Sequence, residues 1–296
     1  MTSRAVPRET GGVRRTGTLL FVLPALVLSL GITFIPGLLT VAASLTYWDG
    51  VSRPVWIGME NYRSLLHDIG FWHALFNNIR WTILFLTVPT AAALLVATLL
   101  RPRRRIMGVY QAVLLLPYIV SPIANASVWT NIIFDPVGGV VGWFSRTVWP
   151  VANPLGVPST ALYAVACIDM WHFWGYLTVV FLAALRQVPS DQLDAAMIEG
   201  ASTWQVFRHV TFPAIRPTIA VMLVMETIFS FLTFDYVYLT TQGGPGYATE
   251  VLATRAYDLA FHLLEVGKAA AVAMVMSLFG LLAAFVYVRF SREMAR

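Results

Sequence analysis

The sequence predicts an all-α integral membrane protein with six transmembrane helices and both termini in the cytoplasm. Of its 296 residues 58% are hydrophobic and only 12% charged, and mean hydropathy is +0.70. A soluble domain carries about 25% charged residues, so this surface is made for lipid rather than water. The apolar residues also fall in blocks of the about 20 residues that a helix needs to cross the hydrocarbon core.

The blocks cover 18–46, 81–100, 106–134, 161–185, 218–240 and 269–288. The first, second, third and sixth contain no Asp, Glu, Lys or Arg. They lack the short alternation of barrel strands, so helices are assigned. The first follows a basic start, as a secretory signal does. Its apolar run is longer than the roughly 7–15 residues of a signal core, so it is read as a retained span. Cys167, the single cysteine, lies in the fourth block and is expected to be a small buried residue.

Charge sets the orientation. An inside N-terminus puts Arg4, Arg8, Arg14, Arg15, Arg101, Arg103, Arg104, Arg105, Arg186, Arg208, Arg216, Arg289, Arg292 and Arg296 inside, 14 of the 20 basic residues. Arg53, Arg63, Arg80, Arg146, Arg255 and Lys268 then lie outside, over longer loops. Tyr47, Trp48, Trp72, Trp81, Trp143 and Trp149 are expected to form an aromatic belt at the outer interface. The net charge of +5 thus reflects membrane topology and calls for no nucleic acid. His67, His73 and His262 have no zinc-site spacing.

The fourth-to-fifth connection, Arg186 to Pro217, is more than a polar link. Ser190 is a good N-cap, and Asp191 and Asp194 suit the positive end of a helix dipole. Leu193, Ala196, Met197 and Ala201 fall on one face. Gly200 permits a turn or close backbone approach. A second short helix would carry Trp204, Phe207 and Val210, with Pro213 and Pro217 marking the return to the membrane. A helix lying on lipid favours Lys and Arg on its polar face. This one opens with Asp191, Asp194 and Glu199, so a protein groove suits it better.

Asp194-Ala195-Ala196, three residues, Gly200, nine residues, Val210, one residue, Phe212-Pro213 resembles the "EAA" loop of ATP-binding-cassette (ABC) importer permeases. That family reads Glu-Ala-Ala, Gly, Ile and Leu-Pro at the same spacing, so Asp194, Val210 and Phe212 depart conservatively. Gly58-Met59-Glu60-Asn61-Tyr62, Leu116-Pro117-Tyr118 and Thr241-Gln242-Gly243-Gly244-Pro245 look like landmarks of its carbohydrate branch, which includes the maltose and glycerol-3-phosphate permeases. The resemblance implies a type I ABC importer permease fold in a bacterial inner membrane. Residues 1–17 would be a cytoplasmic tail, 18–72 the first helix and outer loop, 73–290 the core permease domain, and 291–296 a second tail. The coupling loop 186–217 would present Asp194, Ala195, Ala196, Glu199, Gly200, Ala201, Phe207, Val210 and Pro213 to an ATPase. Implied partners are a second, homologous permease subunit, two nucleotide-binding subunits and an extracytoplasmic solute-binding protein. The chain has no phosphate-binding Gly-x4-Gly-Lys loop, so Mg-ATP would be bound by the partners and no cofactor or enzymatic activity is expected here.

Ionisable residues inside a membrane are costly and mark pathways or pairs. Asp169, His172 and Tyr176 share one face of the fourth span, and Glu226, Ser230 and Thr233 one face of the fifth. Tyr118, Asn125 and Trp129 keep a similar register in the third. Donors, acceptors and aromatic rings together suit a sugar, and alignment on the maltose permease places the first two sets at its pocket. The competing reading has the same groups pairing with one another or with the partner permease. Asp235 falls on the opposite face from Glu226 and is read as a structural pair or gate. A proton-coupled secondary transporter is the alternative function; it explains the buried acids but leaves the acidic loop without a partner. No internal repeat supports it.

Overall fold

The computed structural model describes residues 15–101, 107–148 and 150–294. Arg4, Arg8, Arg14, Arg103, Arg104, Arg105, Arg296 and Trp149 lie outside these residues. The first span is α1 (Arg15–Ser29), a π turn (Leu30–Phe34) and α2 (Ile35–Ser44). An antiparallel pair of two-residue strands follows, β1 (Thr46–Tyr47) with β2 (Val55–Trp56), Thr46 facing Trp56. Next come α3 (Glu60–Leu66), α4 (Ile69–Leu100), α5 (Met107–Ile119), α6 (Pro122–Val128) and α7 (Val140–Thr147). The chain continues through α8 (Pro158–Gln187), α9 (Ser190–Ile198), α10 (Thr203–Val206) and α11 (Phe212–Phe231). It ends with α12 (Asp235–Thr240), α13 (Leu252–Tyr257) and α14 (Val266–Met294).

Among the described residues five helices are long and apolar enough to cross a membrane, and α5 with α6 makes a sixth that is bent by 93°. The third block is therefore broken rather than straight. Pro122 disfavours helical backbone at Ser121, which stays extended at ψ 148° while its Oγ accepts from Ala124 N at 3.3 Å, opening α6. The fifth block also differs from expectation. Its helix stops at Phe231, and 235–240 forms the separate α12.

The core lies between α4 and α8, where Trp81, Phe85, Ala93 and Ala97 meet Val165, Ile168, Leu177, Phe181 and Leu185. Trp81 is fully buried here rather than in an aromatic belt. Tyr47, Trp72 and Trp143 do stay exposed. Cys167 is exposed, on the face of α8 turned away from this core, contrary to expectation. The first span packs on α14 through α2 and is otherwise unburied.

The end of the bundle remote from 186–217 is tied by side-chain amides. Asn61 Nδ2 donates to the Ser44 and Thr46 carbonyls at 2.9 and 2.8 Å, and Tyr62 Oη donates to Ser44 Oγ at 2.8 Å. Asn77 Nδ2 reaches the carbonyls of Tyr247, Ala248 and Glu250 at 2.9–3.2 Å. Asn78 donates to Ser230 O at 3.0 Å and accepts from Leu252 N at 2.7 Å. The 58–62 landmark thus marks a joint between elements.

An ion cluster closes the same end. Asp68 caps α4, its Oδ1 accepting from Gly70 N at 2.9 Å, while its Oδ2 meets Arg255 at 2.8 Å and Lys268 at 3.3 Å. Burial acts against the Asp68 carboxylate, but Arg255 prevails and holds it below the usual range. Glu250 is less well served: its nearest oxygen is 3.7 Å from Arg255, and Oε2 has no partner among the described residues. Burial pushes its carboxyl up to about 7, against the pull of Arg255. A raised carboxyl pKa costs stability once the group ionises, so the penalty is absent at acid pH and grows from about pH 4.5 towards pH 7. Glu250→Gln should leave the melting temperature nearly unchanged at pH 5 and stabilise the chain by about 1–3 kcal/mol at pH 8. Thermal unfolding at the two pH values checks this; an equal effect at both refutes it.

Candidate functional site

The 186–217 segment leaves the bundle below α8 as two linked helices. Pro189, not Ser190, occupies the N-cap of α9, and Ser190 is its first residue. After Ile198 the chain turns back: Gly200 N donates to Met197 O and Ala201 N to Ala196 O, both at 3.0 Å. Gly200 sits at φ +84°, where a Cβ is strained. Ser202 then caps α10 by a reciprocal pair, Gln205 N to Ser202 Oγ and Ser202 N to Gln205 Oε1.

The second helix is not a separate unit. A π turn over Phe207–Thr211 joins α10 to α11, and Pro213 and Pro217 lie within the continuous 29-residue helix Thr203–Phe231. Pro213 has no N–H to give His209 O, and the π turn immediately before it absorbs that gap.

The expected apolar face of α9 is split. Leu193 and Val210 pack against the core and Ala196 is half-buried, whereas Met197 is 57% and Ile198 87% exposed, as is Trp204 at 65%. Trp204 stacks on Phe207 with centroids 5.8 Å apart. Asp194, Ala195, Glu199 and Gly200 are exposed, and Phe207 and Pro213 half-buried. Ala195, Ala196, Glu199, Val210 and Pro213 line one groove between α9 and the start of α11.

The residues expected along a solute path divide into two groups. Tyr118 stacks on Tyr176 at 4.8 Å and 18°, with His172 5.3 Å from Tyr118. The helix break after Ile119 frees the Pro117 carbonyl, which accepts from His172 Nδ1 at 2.8 Å; Nδ1 must therefore carry the proton. Tyr236 lies 5.8 Å from the His172 ring and receives a hydrogen bond from Asn125 Nδ2 at 3.1 Å. Asp169 is half-buried on the same side, near Trp81, Asp235 and Tyr236. Trp129 packs edge-on against Trp171 at 6.3 Å. The bend places Tyr118 and Trp129 on different helices, so the single stripe expected on the third span does not form.

Glu226, Ser230 and Thr233 sit elsewhere. Glu226 is fully buried, and Thr90 on α4 donates to its carboxylate at 2.8 Å. Ser230 Oγ pairs with Thr82 Oγ1 at 2.8 Å and donates to Thr227 O. Thr233 is buried beyond the end of α11. Glu226 and Ser230 thus tie α11 to α4 within one chain, which is the arrangement of the competing reading. Sequence periodicity did not find Tyr236 or Phe173. Phe173 packs against Tyr118, Tyr176 and Phe85 and supports the aromatic wall from behind. Among the described residues no group of three metal-ligating side chains converges.

A family model described as binding-protein-dependent transport system inner membrane component matches residues 80–296. The chain belongs to this family. It is 30% identical to a probable ABC transporter permease of Pyrococcus horikoshii over 92% of this chain and 94% of that one. It is also 30% identical to the trehalose/maltose transport system permease protein MalF of Thermococcus litoralis, over 83% and 86%. The fold matches a chain of a bacterial alginate ABC transporter solved with its alginate-bound periplasmic protein, with TM-score 0.82, 22% identity and 96% coverage of each chain. The chain is thus a transmembrane permease component of an ABC transport system.

Proposed function

We propose that this chain forms half of the translocation pore of an importer for a polyhydroxylated, sugar-like solute, with a second permease forming the other half. An extracytoplasmic binding protein delivers the solute, and two ATPase subunits supply the stroke. The 14-to-6 distribution of basic residues supports cytoplasmic termini in a bacterial inner membrane. The sugar class rests on the names of relatives such as MalF and on the wall of Tyr118, Tyr176, His172, Trp129 and Asp169. Rings stack on sugar faces, and a carboxylate accepts from hydroxyls.

The observation that carries the coupling role is the exposure of Met197 and Ile198 on α9, outside every candidate span, and of Trp204 in the first turn of the helix that follows, with no described basic residue from Pro189 to Phe207. Apolar side chains at 57–87% exposure call for a protein cover, and Asp194 and Glu199, exposed beside Met197 and Ile198, disfavour anionic lipid on that face. The loop would enter a cleft of the ATPase, and closure of two ATPases on ATP would move α9 and, through α11, the bundle. A photo-crosslinker at Ala196 in the transporter expressed with its neighbouring subunits should capture a nucleotide-hydrolysing subunit. Capture of lipid alone would end this assignment.

A further inference from the structure

A cavity of about 810 Å³ opens where α4 and α8 end and α9 and α10 begin. Arg101, the first residue past α4, and Arg186, in the last turn of α8, both line it. Thr203 adds a hydroxyl, those of Thr98 and Ser190 being given to Leu94 O and Asp191 Oδ1, and no acidic residue is among the described lining. Neither arginine makes an ion pair among the described residues. Burial alone acts on the Arg101 guanidinium and holds it below its ordinary range, with no carboxylate to offset the loss of water. A part-buried guanidinium at Arg101 and an exposed one at Arg186, neither paired among the described residues, suit a phosphate-bearing anion, which a guanidinium binds through two parallel hydrogen bonds.

We propose that this cavity binds the headgroup of an anionic phospholipid. The rest of the lining decides between a lipid and a soluble phosphate. Leu185, Val188, Leu193, Val206 and Phe207 give the cavity an apolar wall, continuous with the ends of two membrane-spanning helices, where a lipid's glycerol and upper acyl carbons would lie. Soluble phosphate leaves that wall wet. The site is separate from the aromatic path and from the α9 groove. It touches the root of the coupling segment through Pro189, Ser190, Leu193 and Phe207, so an occupied site would brace α9 against α4 and α8.

Native mass spectrometry of the full chain, released from nanodiscs of zwitterionic lipid containing phosphatidylglycerol, tests this. One retained phosphatidylglycerol is expected. Its affinity should fall about 30-fold in the double variant Arg101→Gln/Arg186→Gln, at about tenfold or less per interfacial arginine. Arg208→Gln, on the same segment but outside the cavity lining, should retain lipid as the unaltered chain does. A thermal melt in purely zwitterionic lipid, equal for both proteins, separates lost binding from misfolding. Equal retention by the double variant overturns the proposal. Displacement of the lipid by millimolar inorganic phosphate assigns the site to a soluble anion and overturns the lipid assignment.

Discussion

Gly175→Val should prevent α5 from docking on α8 and cost at least about 3 kcal/mol, enough to remove most folded protein from the membrane. A Cβ at position 175 would be driven into the carbonyl oxygen of Leu114, a backbone atom that no rotamer change can move aside. Contact at this point is between main chains, and glycine is what allows it. The consequence reaches the proposed path directly. Gly175 is followed by Tyr176, and Leu114 lies four residues before Tyr118, so the same close approach brings the two stacked rings together. Gly280→Val is the control: it lies on the long helix α14, where nothing stands within 4 Å of a Cβ. Detergent-solubilised yield and a thermal melt should separate the two by at least about 6 °C of midpoint or by outright loss of the first. Equal yields would mean that α5 can stand off from α8, and that the aromatic wall does not depend on this contact.

Periodicity and charge made most of the architecture readable. Long apolar blocks specify spanning helices because backbone groups in lipid have no partner but their own helix. The turn within 186–217 was legible because spacing survives where identity drifts: Asp194, Val210 and Phe212 depart from the family pattern, yet Gly200 keeps its place and turns at positive φ. Periodicity failed wherever the helix itself was interrupted. A stripe assumes one axis, and the 93° bend at Val120–Ser121 and the stop after Phe231 reset the register of Asn125, Trp129 and Thr233. Pro122 was a readable signal of the first interruption; for the second, Phe231-Leu232-Thr233-Phe234 offers neither proline nor glycine. Periodicity also cannot say which way a polar stripe faces. Glu226 and Asp169 look alike in sequence, and only the position of Thr90, 136 residues away from Glu226, separates them. The Asn77-Asn78 joint was invisible for a related reason, since its partners lie 152–174 residues downstream.

That distinction yields the second large effect. Asp169→Asn and Tyr176→Ala should lower uptake by about 10- to 100-fold while leaving folded yield unchanged. A lost hydrogen bond to a charged group is worth about 1.5–3 kcal/mol, and Tyr176 is only half-buried, so its removal opens no sealed cavity. Glu226→Ala should behave in the opposite way. It strips the acceptor from Thr90 and leaves a hole at a site with 0% exposure, which costs about 2–4 kcal/mol. Its uptake should then fall only as far as the amount of folded protein falls. The measurement is solute uptake per folded transporter in vesicles, with folded protein counted by size-exclusion chromatography. If Glu226→Ala assembles normally yet transports nothing, the solute path runs between α4 and α11, and the aromatic wall is packing. If Asp169→Asn and Tyr176→Ala lose assembly in step with uptake, the wall holds helices together rather than solute. The two residues that look most alike in the sequence thus decide on which side of α8 the path runs.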